Sequence, residues 1–427
     1  MCLFCRLIII TSCVIFTLNS YAQNDSEYYY RNAVFNEKIK SVQAYREGFE
    51  LSHPVYELGS NANLIFKFDD LDGETKNYYY TIIHCDANWN ESYIMQDEYL
   101  DGFFDNPVDD YAPSFNTTMS YVNYMIRIPN DKVKIKLSGN YALVVYEGQD
   151  RQNVVFTRRF QVLDPKVGVT ARVKKATFDP FQGDNQEVDF SVQHPNMQID
   201  DPMSEVKVVV MKNRRWDDAI TNLKPRFIRD GELDYNYDQG NVFPGGNEYR
   251  YFDIRTRRYN GENVQSTSFH RPYYHVTLIP DEVRANQKYV KFKEMDGNYV
   301  VESQDRVQDY NTECDYFFVH FTLRMDAQLV GGSVHVMGAL TDRNINKSNE
   351  MTWNYDAAAY ELTLLLKQGY YNYQYVYVPQ GSSKPDATVI EGSHYETENE
   401  FEIFVYYKGI SGRYYQLVGY QQVKTDF

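Results

Sequence analysis

Apolar side chains recur at every second position along most of this chain, and a 3.6-residue rhythm is hard to find. The pattern runs through Leu64-Phe66-Phe68, through Phe156-Arg158-Phe160-Val162, and through Val188-Phe190-Val192 and Val206-Val208-Val210. It returns at Phe317-Val319-Phe321-Leu323, Tyr360-Leu362-Leu364-Leu366, Tyr371-Tyr373-Tyr375-Tyr377 and Phe401-Ile403-Val405-Tyr407. Successive residues of a strand point to opposite faces, so this period marks sheets with one buried face. Turn dipeptides separate the runs: Asp72-Gly73, Gly139-Asn140, Asp230-Gly231, Asn260-Gly261 and Asp296-Gly297. Short alternating strands between such turns predict an all-β chain of tandem immunoglobulin-like, early-set antiparallel β-sandwich domains.

The first residues read as an export signal. Arg6 is the only charge before Asp25. Apolar Leu7-Ile8-Ile9-Ile10 and Val14-Ile15-Phe16 follow it, and Ser20-Tyr21-Ala22 presents a cleavage site after Ala22. The apolar stretch is short for a bilayer core of about 30 Å. A lipobox ending at Cys13 is the competing reading, but only about four apolar residues precede it, and a second apolar run is left stranded behind it. Residues 1–22 are therefore expected to be a signal peptide and the protein to be periplasmic. Beyond it, length allows two to four domains. We expect an N-terminal sandwich over 23–164, ending at the breaker Asp164-Pro165. A central β-rich domain with long loops follows over 165–310. A C-terminal early-set-like sandwich over 311–427 has two of its strands joined at Gln368-Gly369.

Charge narrows the partners. A net charge of −16 with no basic block is a poor match for nucleic acid or an anionic membrane surface. An outer-membrane barrel fits the terminal Phe427 but not the charges at Arg158-Arg159, Lys291 and Lys293, nor a mean hydropathy of −0.58. Only Cys85 and Cys314 lie beyond the leader. They are expected to be two separate buried thiols, since a disulfide between them would have to cross domains. Tyrosine is the compositional outlier, with 40 residues, and suits half-buried surfaces and interfaces.

Reactive groups are sparse in the pattern. His84-Cys85-Asp86 is the most reactive-looking cluster, yet neighbours on a strand diverge to opposite faces, so His84 and Cys85 are expected to be structural. Paired acids such as Asp69-Asp70 and Asp217-Asp218 have no spacing that sets one pair apart as a hydrolase dyad. Beyond the leader, whose Cys2 and Cys5 are expected to leave with it, no metal-ligand or phosphate-loop motif occurs. The chain is read as a non-enzyme with no catalytic residue, cofactor or metal, and no small-molecule substrate is expected. A glycan-binding accessory role is the alternative, because the segment from Ser333 to Tyr375 is similar to glycogen-binding-type early-set modules. Trp353, Tyr371 and Tyr373 would then form the sugar platform, although the same aromatics serve equally as sandwich core.

The stretch Tyr80-Thr81-Ile82-Ile83-His84-Cys85-Asp86-Ala87-Asn88-Trp89-Asn90-Glu91-Ser92 resembles the signature of the type IX secretion system plug proteins of the Bacteroidetes, with His84, Cys85 and Trp89 as its most distinctive residues. The resemblance continues through Glu98-Tyr99-Leu100-Asp101-Gly102-Phe103, Ser138-Gly139-Asn140-Tyr141, Phe243-Pro244-Gly245-Gly246-Asn247-Glu248-Tyr249-Arg250 and Glu391-Gly392-Ser393-His394-Tyr395-Glu396-Thr397-Glu398-Asn399. It covers essentially the whole chain after the leader, and Cys314 has no counterpart in it. The resemblance implies a non-catalytic protein on the inner face of the outer membrane. Its partner would be the large translocon barrel, whose periplasmic opening it would seal when no cargo occupies it. For the contact surface, the loops of the central domain are the first expectation, with Phe243, Pro244, Gly245, Gly246 and Tyr249 as candidates. The same residues could instead only shape an internal turn.

Overall fold

A computed structural model describes residues 30–178, 184–237 and 239–427. The expected leader, its cleavage site at Ala22 and the alternative at Cys13 lie outside the described residues. The regular structure of the described residues is nearly all strand, arranged as three β-sandwiches.

In the first sandwich, one sheet orders Ala33–Val34, Val154–Leu163, Gly139–Glu147, Tyr78–Cys85 and Asn106–Pro107. The facing sheet orders Ile39–Arg46, Leu64–Asp70, Val122–Ile128 and Asp110–Pro113. Alternation puts Leu64, Phe66 and Phe68 from one sheet against Phe156, Phe160 and Val162 from the other, all fully buried. Burying such side chains supplies roughly 1.5–3 kcal/mol each.

The second and third sandwiches do not follow each other along the chain, which corrects the expected boundary at 310. The second has one sheet of Gly168–Lys175, Asn185–Gln193, Glu232–Asp234 and Phe227–Arg229, with the hairpin at Asp230-Gly231. Its other sheet pairs Val206–Lys212 with Glu400–Tyr407, and that strand with Gln416–Lys424. The third sandwich is inserted between these partners. Its sheets are built on Gly369–Pro379, beside Arg250–Asp253, Tyr299–Val301 and Gly332–Met337, and on Tyr316–Arg324, beside Tyr273–Leu278 and Ala359–Lys367. The strands joined at Gln368-Gly369 are not a hairpin. They belong to opposite sheets, and a Cβ at Gly369 would lie 2.2 Å from the Val300 carbonyl oxygen.

Tyrosine fills much of the core. Among the described residues, ten of the twelve largest fully buried side chains are tyrosines. Each buried hydroxyl needs an acceptor. Tyr373 and Tyr375 both donate to Asp281, at 2.6 and 2.8 Å, and Tyr371 donates to the Lys367 carbonyl at 2.5 Å.

Candidate functional site

The residues that stood out in the sequence gather at the seams between sandwiches. His84 and Cys85 end the strand Tyr78–Cys85 and diverge, as the pleat requires. His84 turns inward against Tyr141, Tyr99 and Tyr414, with ring centroids 4.9–5.6 Å apart. Its Nε2 lies 3.2 Å from the Ser138 carbonyl oxygen, which can only accept, so this nitrogen carries the proton and Nδ1 accepts from Ser92 Oγ at 2.8 Å. Burial lowers the imidazole to about 4. Cys85 faces the other way, toward Tyr30, Trp89 and Ala142. Burial pushes its thiol well up, so it is not a thiolate nucleophile. Cys314 is likewise a free buried thiol, pushed up to about 12 by burial.

After Cys85 the chain turns on Asp86, whose Oδ1 accepts from the backbone of Asn88 and Asn90 at 2.8 and 2.9 Å. The turn holds Trp89 at φ 68°, in the left-handed region, and delivers its indole to the second sandwich. There it meets Trp216 edge-on at 5.1 Å, and the Arg159 guanidinium lies 4.3 Å over its ring. Tyr406 of the second sandwich donates to Asn140 at 2.8 Å, and Asn140 donates to the Asp86 carbonyl at 2.9 Å. The signature segment is thus the buried joint between the first two sandwiches.

The segment from Phe243 to Arg250 is where the chain leaves the second sandwich for the inserted third, and Glu391 to Asn399 is where it returns. The two strands of passage are tied together. Gly246 N–H donates to Ser393 Oγ at 3.1 Å, His394 N–H to the Gly246 carbonyl at 2.8 Å, and Asn399 Nδ2 to the Gly245 carbonyl at 2.8 Å. Arg250 and Arg284 both bond Glu391, at 3.0 and 2.7 Å; burial alone would raise this carboxyl, but the two guanidinium groups outweigh it and hold it below its usual range. A Cβ on Gly245 would come within 2.0 Å of the His394 oxygen. The expectation that this loop touches a partner is therefore corrected. Phe243, Gly245 and Tyr249 are buried, Phe243 against Phe401 at 5.3 Å, Gly246 is half-buried, and only Pro244 is exposed.

The sugar platform is corrected on the same ground. Tyr371 and Tyr373 stack and cross with Phe252 in the core of the third sandwich, and Trp353 packs its half-buried ring on Tyr360 at 4.9 Å. The three do not form one exposed face.

A third seam, which sequence reasoning missed, joins the first sandwich to the third. Asp69 and Lys367 are both buried and 2.6 Å apart. Tyr316 and Asn123 also donate to Asp69, at 2.6 and 2.7 Å. Nearby, Asp315 accepts from the backbone and hydroxyl of Thr118 at 2.8–3.1 Å. A charged pair this deep is costly to desolvate and holds only with such full hydrogen bonding.

Exposed apolar side chains concentrate instead between Ser92 and Asp105. Tyr93, Met95, Phe103 and Phe104 project from this one stretch, Tyr93 being 99% exposed. The turn Gln96–Tyr99 between them is tethered by an ion pair from Arg413 to Glu98. Among the described residues no helix is long and apolar enough to cross a membrane, and no group of three or more His, Cys, Asp or Glu side chains is placed to hold a metal ion.

Residues 39–164, the span of the first sandwich core, match the family described as "Type 9 secretion system plug protein 1st domain". The whole chain is similar to a crystal structure at 2.30 Å resolution of a hypothetical protein from Parabacteroides merdae ATCC 43184. The two are 37% identical and superpose with a TM-score of 0.89 over 93% of this chain and 99% of that one. No curated protein matches.

Proposed function

We propose, from the premise that this chain belongs to the type 9 secretion system plug protein family, that it is a periplasmic plug, exported by a signal peptide cleaved after Ala22. On this reading it binds the periplasmic opening of the outer-membrane translocon barrel and seals it while no cargo is inside. The observation that carries the reading is the interlocking of the three sandwiches. Two are joined through Trp89, Trp216 and Arg159, and the third is tied back through Asp69, Lys367 and the double crossing at Gly245 and Asn399. A body that must stop a wide opening has to resist deformation. Buried polar seams fix the relative placement of domains more tightly than the polar, separable interfaces usual within chains.

For the contact itself we assign Tyr93, Met95, Phe103 and Phe104. Aromatic and Met side chains are enriched at interface centres, and the exposed Asp97, Asp101 and Asp105 beside them would form the polar rim of a releasable interface. The test is purification of the tagged chain from solubilised envelopes. A very large outer-membrane barrel should accompany it, and Phe103→Asp with Tyr93→Asp should release the barrel while leaving the chain folded. A chain that elutes alone from intact envelope complexes would refute the reading. Retention of the barrel by the double variant would refute the contact surface only.

A further inference from the structure

The three sandwiches meet around a cavity of about 530 Å³, within the range of small-ligand sites. In an acidic protein its lining is basic. Arg31, Arg158, Arg159, Arg214 and Arg343 face it, against Glu50, Asp217 and Asp342. The acids are largely spoken for. Asp342 pairs with Arg158 at 2.7 Å, Asp217 pairs with Arg215 outside the cavity at 2.5 Å, and Glu50 is exposed at the rim. Arg214 has Glu400 at 3.2 Å. Among the described residues, no carboxylate lies within 4 Å of the guanidinium of Arg159 or Arg343. Among the described residues the Arg159 guanidinium bonds only the Tyr30 carbonyl, beside the rings of Trp89 and Trp216. Arg343 bonds the Asn213 carbonyl at 3.0 Å and Asn298 Oδ1 at 2.8 Å.

Charge held away from water is ordinarily paired. Here the half-buried Arg159 and Arg343 have no carboxylate within 4 Å among the described residues, and Arg343 is gathered with like charge, since Arg214 Nη1 approaches the same Asn298 oxygen at 3.3 Å. Asn213 and Arg214, at φ 47° and 59°, form the two-residue turn of the hairpin between Val206–Lys212 and Arg215–Ile220, which brings Arg214 to the cavity wall. Asp342 and Arg343, both at φ 55°, close the short turn Ala339–Thr341 and bring Arg343 to the same wall. Burial, and for Arg343 also the charge of Arg214, lowers Arg159 to about 9 and Arg343 to about 10, in the direction that a bound anion would reverse. Tyr45, Tyr299 and Trp216 supply apolar wall beside these donors.

We propose that this cavity binds a small organic anion, its carboxylate or phosphate oxygens held by Arg343, Arg159 and Arg214. Arg's planar fork suits both oxyanions. The site lies at the junction of all three sandwiches, so occupancy would tighten their mutual placement. It is independent of whether the outer surface plugs a translocon.

The test is isothermal titration and thermal melting of the purified chain with citrate and with inorganic phosphate, at ionic strength matched with sodium chloride. Saturable binding, with a melting point raised above the chloride control, is expected for at least one anion. Preference for citrate or for phosphate tells which oxyanion the site favours. Arg343→Met should weaken that binding at least tenfold, and Arg343→Lys should weaken it less. Arg31→Met changes an exposed side chain at the mouth, cannot compromise the fold, and should weaken binding severalfold. Arg172→Met, on the far side of the second sandwich, should not. Binding no stronger than chloride, or binding unchanged in both the Arg343→Met and Arg31→Met variants, overturns the proposal.

Discussion

Lys367→Met is the sharpest perturbation of the seam between the first and third sandwiches. The ammonium donates to Asp69 at 2.6 Å and to the Asn311 carbonyl at 2.7 Å, and it lies 4.2 Å from the Tyr121 ring centroid. Methionine keeps most of the aliphatic stem, so the cavity term is small. What remains is a carboxylate with no exposure whose counter-ion is gone. Removing one partner of a buried pair costs about 3–5 kcal/mol. Tyr316 and Asn123 still donate to Asp69, which places the expected loss near the lower end, at about 3 kcal/mol. Asp69→Asn in the same chain removes the orphaned charge and should recover at least half of that loss, giving a coupling energy above about 1 kcal/mol in a double-mutant cycle. Urea unfolding followed by intrinsic fluorescence reads both, with the midpoint falling in the single variant at unchanged slope. A loss under about 1 kcal/mol, or a double variant no more stable than Lys367→Met, would refute the claim that this pair holds the sandwiches together.

The other seams give further expectations. Trp89→Ala should cost about 3–5 kcal/mol, because it leaves a void between Trp216 and Arg159; chemical denaturation checks it. Gly245→Ala forces a Cβ to within 2.0 Å of a carbonyl oxygen, whereas Gly381→Ala, at φ 80° with nothing within 4 Å, meets only backbone strain. The first should fail to accumulate as soluble protein, and the second should lose about 1 kcal/mol. His84 is neutral when folded down to about pH 4, against an unfolded value near 6.5. The unfolded chain therefore binds the extra proton, and stability should fall by about 3 kcal/mol as pH drops from 6.5 to 4, a slope that His84→Gln diminishes. Glu402, raised to about 7 by burial, acts in the opposite sense. Its contribution is complete below about pH 4.5 and is lost as pH rises through 7, so Glu402→Gln should flatten the curve between those values.

Much of the fold is legible in the periodicity, because each strand buries one face and the pleat writes that face at every second position. Phe66, Val162 and Val319 sit where their alternation places them. The insertion was not legible. Val206–Lys212 and Glu400–Tyr407 are neighbours in one sheet although nearly 200 residues separate them, and nothing local in either strand names its partner. Tyrosine misled for a related reason. Tyr375 alternates as a phenylalanine would, and whether its hydroxyl faces water or Asp281 depends on a residue 94 positions away. The Phe243-Pro244-Gly245-Gly246 turn has the composition of a surface loop, but its glycine is needed for close approach to His394, not for exposure. The basic cavity could not be read at all, since Arg31, Arg159, Arg214 and Arg343 are scattered and meet only after three domains have packed.

Three of the segments that carry the family resemblance, around Trp89, around Gly245 and around Asn399, are joints between the sandwiches, while the one from Glu98 to Phe103 ends at the exposed surface. In an enzyme, the residues that most distinguish a family touch substrate, and the scaffold around them can vary. In this chain the distinguishing residues at the joints fix how three sandwiches sit against one another, and so they fix an outline. Selection on outline is what a space-filling role requires, because an opening is closed by shape and stiffness, not by one reactive group. On the proposed plug role, the outer surface meets the barrel while Trp89, Gly245 and Asn399 hold the body that presents it. On that logic, surface exchanges at Tyr93 or Phe103 should change which barrel is bound and leave the unfolding midpoint unchanged. Exchanges at the joints should do the reverse, lowering the midpoint first and binding only as a consequence.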